Sequence, residues 1–340
     1  MPSPHSSTFN YVLFIAILLL ILVASAIFLP FIGQTFRAPD TDCPLEKEIY
    51  ADIYWHIYWL RFHRTALALI AGSGLALAGL VFQAMFRNPL ATPYTLGVAS
   101  GAAFGAALCL RLPIIPPLIG VIPTVSLGAF IGAALAMAIV LGLSRRRDTS
   151  TEQMLLAGVA VNFLFASMIV LVQYLSDPNN AFQILRWTMG GVENATFASD
   201  WLQLTPVVVL LVVYLMLQSR TLNVFVTGSD RAKSLGVNVE RFRLILFVVT
   251  SLVVGFIVSI TGPIGFVGLL VPHVARLLVG PDHRLLIIST AFIGAIFLAV
   301  CDTMGRVIAH LAQLGEFPVG IITSMLGAPF FLWLLLKRKE

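Results

Sequence analysis

Residues 71–96 read AGSGLALAGLVFQAMFRNPLATPYTL. No charge falls between Thr65 and Phe86, and small residues recur at Gly72, Gly74, Ala76, Ala78 and Gly79 before Arg87-Asn88-Pro89-Leu90 stops the run. A helix this long and apolar reaches the ~20 residues that cross a bilayer. In lipid, helices associate by close backbone packing rather than by escaping water, so the glycines mark contact faces. Pro89 ends the helix at a tight reversal. Gln83 is polar within the span, and such a group faces either a neighbouring helix, as a hydrogen-bond partner, or a pathway.

The rest of the chain has the same character. Of 340 residues, 59% are hydrophobic and 11% charged, with a mean hydropathy of +0.95, against ~45–50% apolar residues in a soluble domain. Apolar runs fall at about 11–32, 65–86, 96–110, 118–143, 154–175, 201–217, 244–260, 269–279, 285–301 and 317–336. This predicts an all-α integral membrane protein of about ten transmembrane helices in a compact bundle, as a single transmembrane domain over 1–340. The shorter runs, 269–279 above all, predict helices packed inside the bundle. The first run has no basic residue before it and continues past Ala24-Ser25-Ala26, which predicts a retained first helix, with a cleaved signal as the alternative. Cys43, Cys109 and Cys301 show no metal-ligand spacing, so neither a metal site nor a redox pair is expected.

Loops after even-numbered spans, with the C-terminal tail, hold 14 of the 21 lysines and arginines, and the opposite side holds ten of the sixteen acids. The positive-inside rule therefore puts both termini and the loop 226–243 in the cytoplasm. The same rule accounts for the net charge of +5, and no nucleic-acid partner is expected.

That loop, VTGSDRAKSLGVNVERFR, is the one polar interval in an apolar second half. Thr227 or Ser229 is placed to cap a short helix carrying Asp230 in its first turn and Lys233 in its last, and Gly236 to stop it in a left-handed conformation. Asn238 is placed to cap the next helix, with Glu240 in its first turn. The pattern is helix, glycine turn, helix, read either as a docking surface or as an ordinary solvated loop.

Several ordered motifs carry a family resemblance. They are Arg61-x-x-Arg64; Gln83-x-x-x-Arg87-Asn88-Pro89-Leu90-Ala91-x-Pro93; Leu96-Gly97; Leu155-Leu156-Ala157-Gly158; Gly262-Pro263-Ile264-Gly265-Phe266-Val267-Gly268-Leu269 with Pro272-His273-x-x-Arg276; Gly280-x-Asp282-His283-Arg284; Asp302-x-x-x-Arg306; Phe317-Pro318-Val319-Gly320; and Gly327-Ala328-Pro329-Phe330. Together, from about residue 55 to 336, they resemble the permease family of ABC importers for iron-siderophores, haem and cobalamin. The resemblance implies the type II importer permease fold, a homodimer around a central pathway, two cytoplasmic ABC ATPase subunits holding ATP and Mg, and a periplasmic substrate-binding protein, at a bacterial inner membrane. The permease itself then binds no cofactor.

By position, the resemblance places ATPase coupling on Ser229, Asp230, Arg231, Ala232, Lys233, Ser234, Leu235, Gly236 and Val237. It places a cytoplasmic gate on Thr149, Ser150 and Thr151, a pathway along the fifth helix past Gly158 and Asn162, and binding-protein docking on Arg61, Arg64 and Arg306. Asn162 is read equally as an interhelical hydrogen-bond partner. Arg306 is read also as the i,i+4 partner of Asp302, and all three arginines as interfacial anchors. Where the family has Arg-x-Pro-Arg, this chain has His63, so the backbone there is expected to differ. The external segment 33–60 mixes acids with Tyr50, Tyr54, Trp55 and Tyr58, as an interfacial aromatic belt or a partner surface.

Two other functions compete. Ser100 with His273 or His310 would serve an intramembrane protease, but serine among glycines is ordinarily packing, and no catalytic residue is assigned. A secondary transporter would place ionisable groups at mid-membrane, where these spans carry little beyond Asp302. No G-x-x-x-x-G-K-[ST] loop occurs in the sequence, so ATP hydrolysis is expected on another chain. The cargo is read as an iron-siderophore first, with haem or cobalamin as alternatives.

Overall fold

The structure, a computed structural model, describes residues 4–33, 44–112, 118–119, 122–144, 151–193, 198–313, 315 and 317–337. Thirteen helices occur among these residues: α1 Pro4–Phe28, α2 Pro44–Phe86, α3 Val98–Arg111, α4 Thr124–Ser144, α5 Thr151–Tyr174, α6 Pro178–Thr188, α7 Ala198–Leu217, α8 Ser219–Val226, α9 Ser229–Ser234, α10 Val239–Thr261, α11 Val267–Val279, α12 His283–Leu311 and α13 Val319–Lys337. Seven are long and apolar enough to cross a membrane, and α3, α11 and α13 are shorter apolar helices. These ten match the ten apolar runs.

Helix α2 is the axle of the bundle. At 1.5 Å per residue its 43 residues extend about 65 Å, roughly twice the hydrocarbon thickness of a bilayer. Its membrane part packs against α7, α10, α11 and α12, and Leu67, Leu75, Leu77, Leu80 and Phe82 are wholly buried. The sequence reading began this helix near Thr65. It begins at Pro44, because no proline or glycine interrupts the chain from Leu45 to Ile70. His63, standing where the family has proline, leaves the backbone helical, and its Nδ1 accepts a hydrogen bond from Trp201 Nε1 at 3.1 Å.

The glycine-dense runs are crossing points, as expected. A Cβ on Gly105 would meet the carbonyl of Gly128, and one on Gly101 that of Gly132, so α3 and α4 touch backbone to backbone. The run expected from Leu118 starts its helix at Thr124 instead. Before it, Leu118–Ile119 pairs antiparallel with Ile122–Pro123, and Pro123 immediately precedes the helix. Helix α12 runs ten residues past the expected end at Cys301, through Asp302 and Arg306.

Two helices were missed. For α6, Asp177 caps the N-terminus, its carboxylate accepting from Asn180 N at 3.0 Å, with Pro178 in the first turn. Only Gln218 separates α8 from the end of α7, and the polar residues after Leu217 read as loop. Thr149, Ser150, the basic cluster 145–147, Cys43 and the part of the 33–60 segment between 34 and 43 lie outside the described residues.

Candidate functional site

Arg64 and Arg87 lie about 34 Å apart along the axis of α2, and each anchors a polar cluster at one end of the bundle.

At the Arg87 end, the guanidinium donates to the carbonyl of Phe225 at 2.9 Å and sits 5.8 Å from the centre of that ring. This pins α8 to α2. Asn223 on α8 donates to Asp282 Oδ1 at 2.7 Å, and its own oxygen accepts from the backbone N–H of His283 at 2.9 Å, clasping α8 to the start of α12. Asp282 also caps α12 through Arg284 N at 3.1 Å. The bonds from Asn223 and Arg284 hold its carboxyl below the usual carboxylate range.

Helix α9 stands on this platform. Its last turn closes with Gly236 N to Lys233 O and Val237 N to Ala232 O, both at 3.0 Å, with Gly236 at φ +83°, a Schellman motif. The glycine stop is where the sequence placed it, and so is the next cap, Asn238 Oδ1 accepting from Arg241 N at 3.1 Å. The first cap is different. Gly228, at φ +141°, occupies the N-cap position, and the Thr227 hydroxyl instead donates to Val224 O, closing α8. Within α9 only Ala232 is buried; Asp230, Arg231, Lys233 and Ser234 point outward or partly so, as Ser229 does, and Leu235 is 68% exposed. Val237 packs against the core.

At the other end, Arg64 and Arg306 converge on one carboxylate. Arg64 Nε and Nη2 both lie 2.8 Å from Asp302 Oδ1, and Arg306 Nε lies 3.3 Å from Oδ2. Asp302 is 1% exposed and the two arginine side chains 11% and 10%. Arg306 also donates to the carbonyls of Leu29 and Ile32 at 3.2 Å and to the Thr303 hydroxyl at 2.8 Å. It thereby ties the end of α1 to α12. Arg61 is half-buried, with its guanidinium against Gly33. The i,i+4 pairing of Asp302 with Arg306 was legible in sequence; the partnership with Arg64 was not.

Along α5, Gly158 meets the turn before α3, since a Cβ there would lie 2.7 Å from Leu96 Cα. Asn162 is half-buried one turn further on. The opposite face of α5 exposes Leu156, Phe163, Val170 and Tyr174. Thr151 is the first residue of that helix. Gln83 is an interhelical bond: Nε2 donates to the carbonyls of Gly268 and Leu269 at 3.3 and 3.2 Å, and Oε1 accepts from Arg276 at 3.4 Å. The Ser100 hydroxyl donates to Gly97 O at 3.0 Å within its own helix. Among the described residues, no group of three His, Cys, Asp or Glu side chains is placed to hold a metal ion.

A ten-helix bundle with closely crossing glycine helices and a rigid helix-turn-helix at one end is the architecture of a polytopic ABC importer permease of type II. The chain belongs to the FecCD transport family, whose model matches residues 11–337. It is 37% identical over 330 residues to the hemin transport system permease protein HmuU of Yersinia pestis, covering 96% of this chain and 95% of that one. It is 36% identical over 306 residues to the vitamin B12 import system permease protein BtuC of Salmonella typhimurium, covering 90% and 89%. Among solved structures, it superposes with a TM-score of 0.82 at 29% identity on one described as an inward-facing metal-chelate type ABC transporter, over 96% of this chain and 99% of that chain.

Proposed function

We propose that this permease passes a metal chelate from a periplasmic binding protein to the cytoplasm, as a homodimer joined to two cytoplasmic ATPase subunits that hold the ATP and Mg. In this reading it lies in the bacterial inner membrane with both termini inside. The observation that carries it is α9: a six-residue helix fixed at both ends by backbone geometry, seated through Ala232 alone and offering Leu235 outward. A rigid apolar knob on a basic end suits the transmission of a partner's motion better than a solvated loop does. Residues 229–237 are the coupling contact, residues 149–151 the gate, and Gly158 and Asn162 lie along the pathway. Among cargoes this reading takes haem first, supported by the likeness to a hemin permease, ahead of cobalamin and of an iron-siderophore. Arg61, beside the Arg64–Asp302–Arg306 cluster, is the arginine best placed to meet a carboxylate on the binding protein.

The test is replacement of Leu235 by Ser in the assembled transporter. Uptake should fall at least tenfold while ATPase activity and assembly persist. Uptake at the wild-type rate would remove the coupling assignment.

A further inference from the structure

One amide side chain holds α8 against α12. The Asn223 oxygen accepts from the backbone N–H of His283 at 2.9 Å, which fixes the orientation of the amide. The same oxygen lies 2.8 Å from His283 Nδ1, and since it can only accept, that nitrogen carries a proton. The Asn223 nitrogen donates to Asp282 Oδ1 at 2.7 Å. Three bonds from one side chain leave no single pivot, because turning about any one of them stretches the other two. His283 is buried, so its two bonds are shielded from water.

The grip continues outward along α12. At mid-length α2 and α12 touch backbone to backbone: a Cβ on Gly72 would meet the carbonyl of Gly294, and one on Gly294 the side chain of Ala76. At the outer end Arg64 of α2 holds Asp302 of α12. At the inner end both helices hold α8, α2 through Arg87 and α12 through Asn223. No proline interrupts α12 or α2 after Pro44.

Helix α9 is joined to this frame by its start. Only Thr227 and Gly228 separate it from α8, and the hydroxyl of its first residue, Ser229, lies 3.5 Å from Arg87 Nη2. Its exit toward α10 runs instead through the left-handed turn at Gly236.

We infer that Asn223, Asp282 and His283 are positioning residues for transport: they make α8 and α12 one rigid body, which carries movement of α9 to the arginine cluster about 35 Å away at Arg306. This rests on the coupling role of α9 and adds the route by which its movement reaches the binding-protein side.

The experiment measures the Kd of the cognate binding protein for the purified transporter complex, without nucleotide and with a non-hydrolysable ATP analogue. In the wild type the two values should differ at least fivefold. Asn223→Leu, which removes all three bonds, should bring the ratio to within twofold of one. A second variant separates this role from a folding defect: Asn223→Cys/His283→Cys, in a chain also carrying Cys43→Ser, Cys109→Ser and Cys301→Ala, should give a ratio near one when reduced. Joining the two thiols by a disulfide or a short bis-thiosulfonate should restore the wild-type ratio in the same protein. Leu235→Ser with the clasp intact reports on the α9 reading alone, which fails if nucleotide still shifts Kd there. A wild-type Kd indifferent to nucleotide, an unaltered ratio in Asn223→Leu, or a joined form no better than the reduced one would overturn the inference.

Discussion

Replacing Asp302 by Asn keeps the shape of the side chain and removes the one negative charge shared by Arg64 and Arg306. Both guanidiniums then remain about nine-tenths buried with their contact to the Asp302 carboxylate gone. Breaking a buried pair by deleting one partner costs about 3–5 kcal/mol, because a charge is left without compensation in low dielectric. Arg306 keeps its bonds to Leu29, Ile32 and Thr303, which places the loss on the Asp302 contacts alone. At roughly 2–4 °C per kcal/mol, Tm should drop by about 6–20 °C. The assay is thermal unfolding of the purified permease, followed by tryptophan fluorescence. Arg64→Met/Asp302→Leu/Arg306→Met, which replaces the whole cluster by apolar groups, should recover most of that loss, since well-packed apolar side chains often match a buried ion cluster. A drop under 2 °C in Asp302→Asn, or a triple variant less stable than the single one, would refute the reasoning.

Gly236→Val should lower stability by about 1–2 kcal/mol, because a β-branched residue at φ +83° is strained, and should shift cleavage by an added protease to 229–237. Gly105→Leu should cost more and act elsewhere: its side chain would occupy the space of the Gly128 carbonyl, so α3 and α4 must separate and correctly folded yield should fall. Asp282 makes the stability acid-dependent with a definite sign. Its carboxyl is held low in the fold by Asn223 and Arg284, so its contribution is present above the ordinary carboxylate value and lost as pH falls toward the depressed one. Asp282→Asn should flatten that acid limb in a pH series of Tm. Arg61→Glu should slow capture of the binding protein, most strongly at low salt, with basal ATPase activity unchanged.

The spans were legible because bilayer length and apolar composition are local properties, as at 65–86 and 154–175. The Gly236 stop and the Asn238 cap were legible because each is a single-residue signature. The cap of α9 was not, since Thr227 had two possible uses and spends its hydroxyl on closing α8. Helix α6 escaped notice because an amphipathic helix of eleven residues carries no span signal, though Asp177-Pro178 announced its start. The Arg64–Asp302 contact joins residues 238 positions apart, and nothing local pairs them. The same holds for Gly320: it was visible in the Phe317-Pro318-Val319-Gly320 motif, but the Met189 carbonyl it abuts is a property of the fold alone.

The most direct test of the account is uptake of haem by proteoliposomes containing this permease and its cognate ATPase, with the binding protein supplied outside. Haem should accumulate in the lumen only with ATP and the binding protein present, and Leu235→Ser should abolish accumulation while ATP is still hydrolysed. ATP-independent uptake, or uptake unaffected by Leu235→Ser, would contradict it.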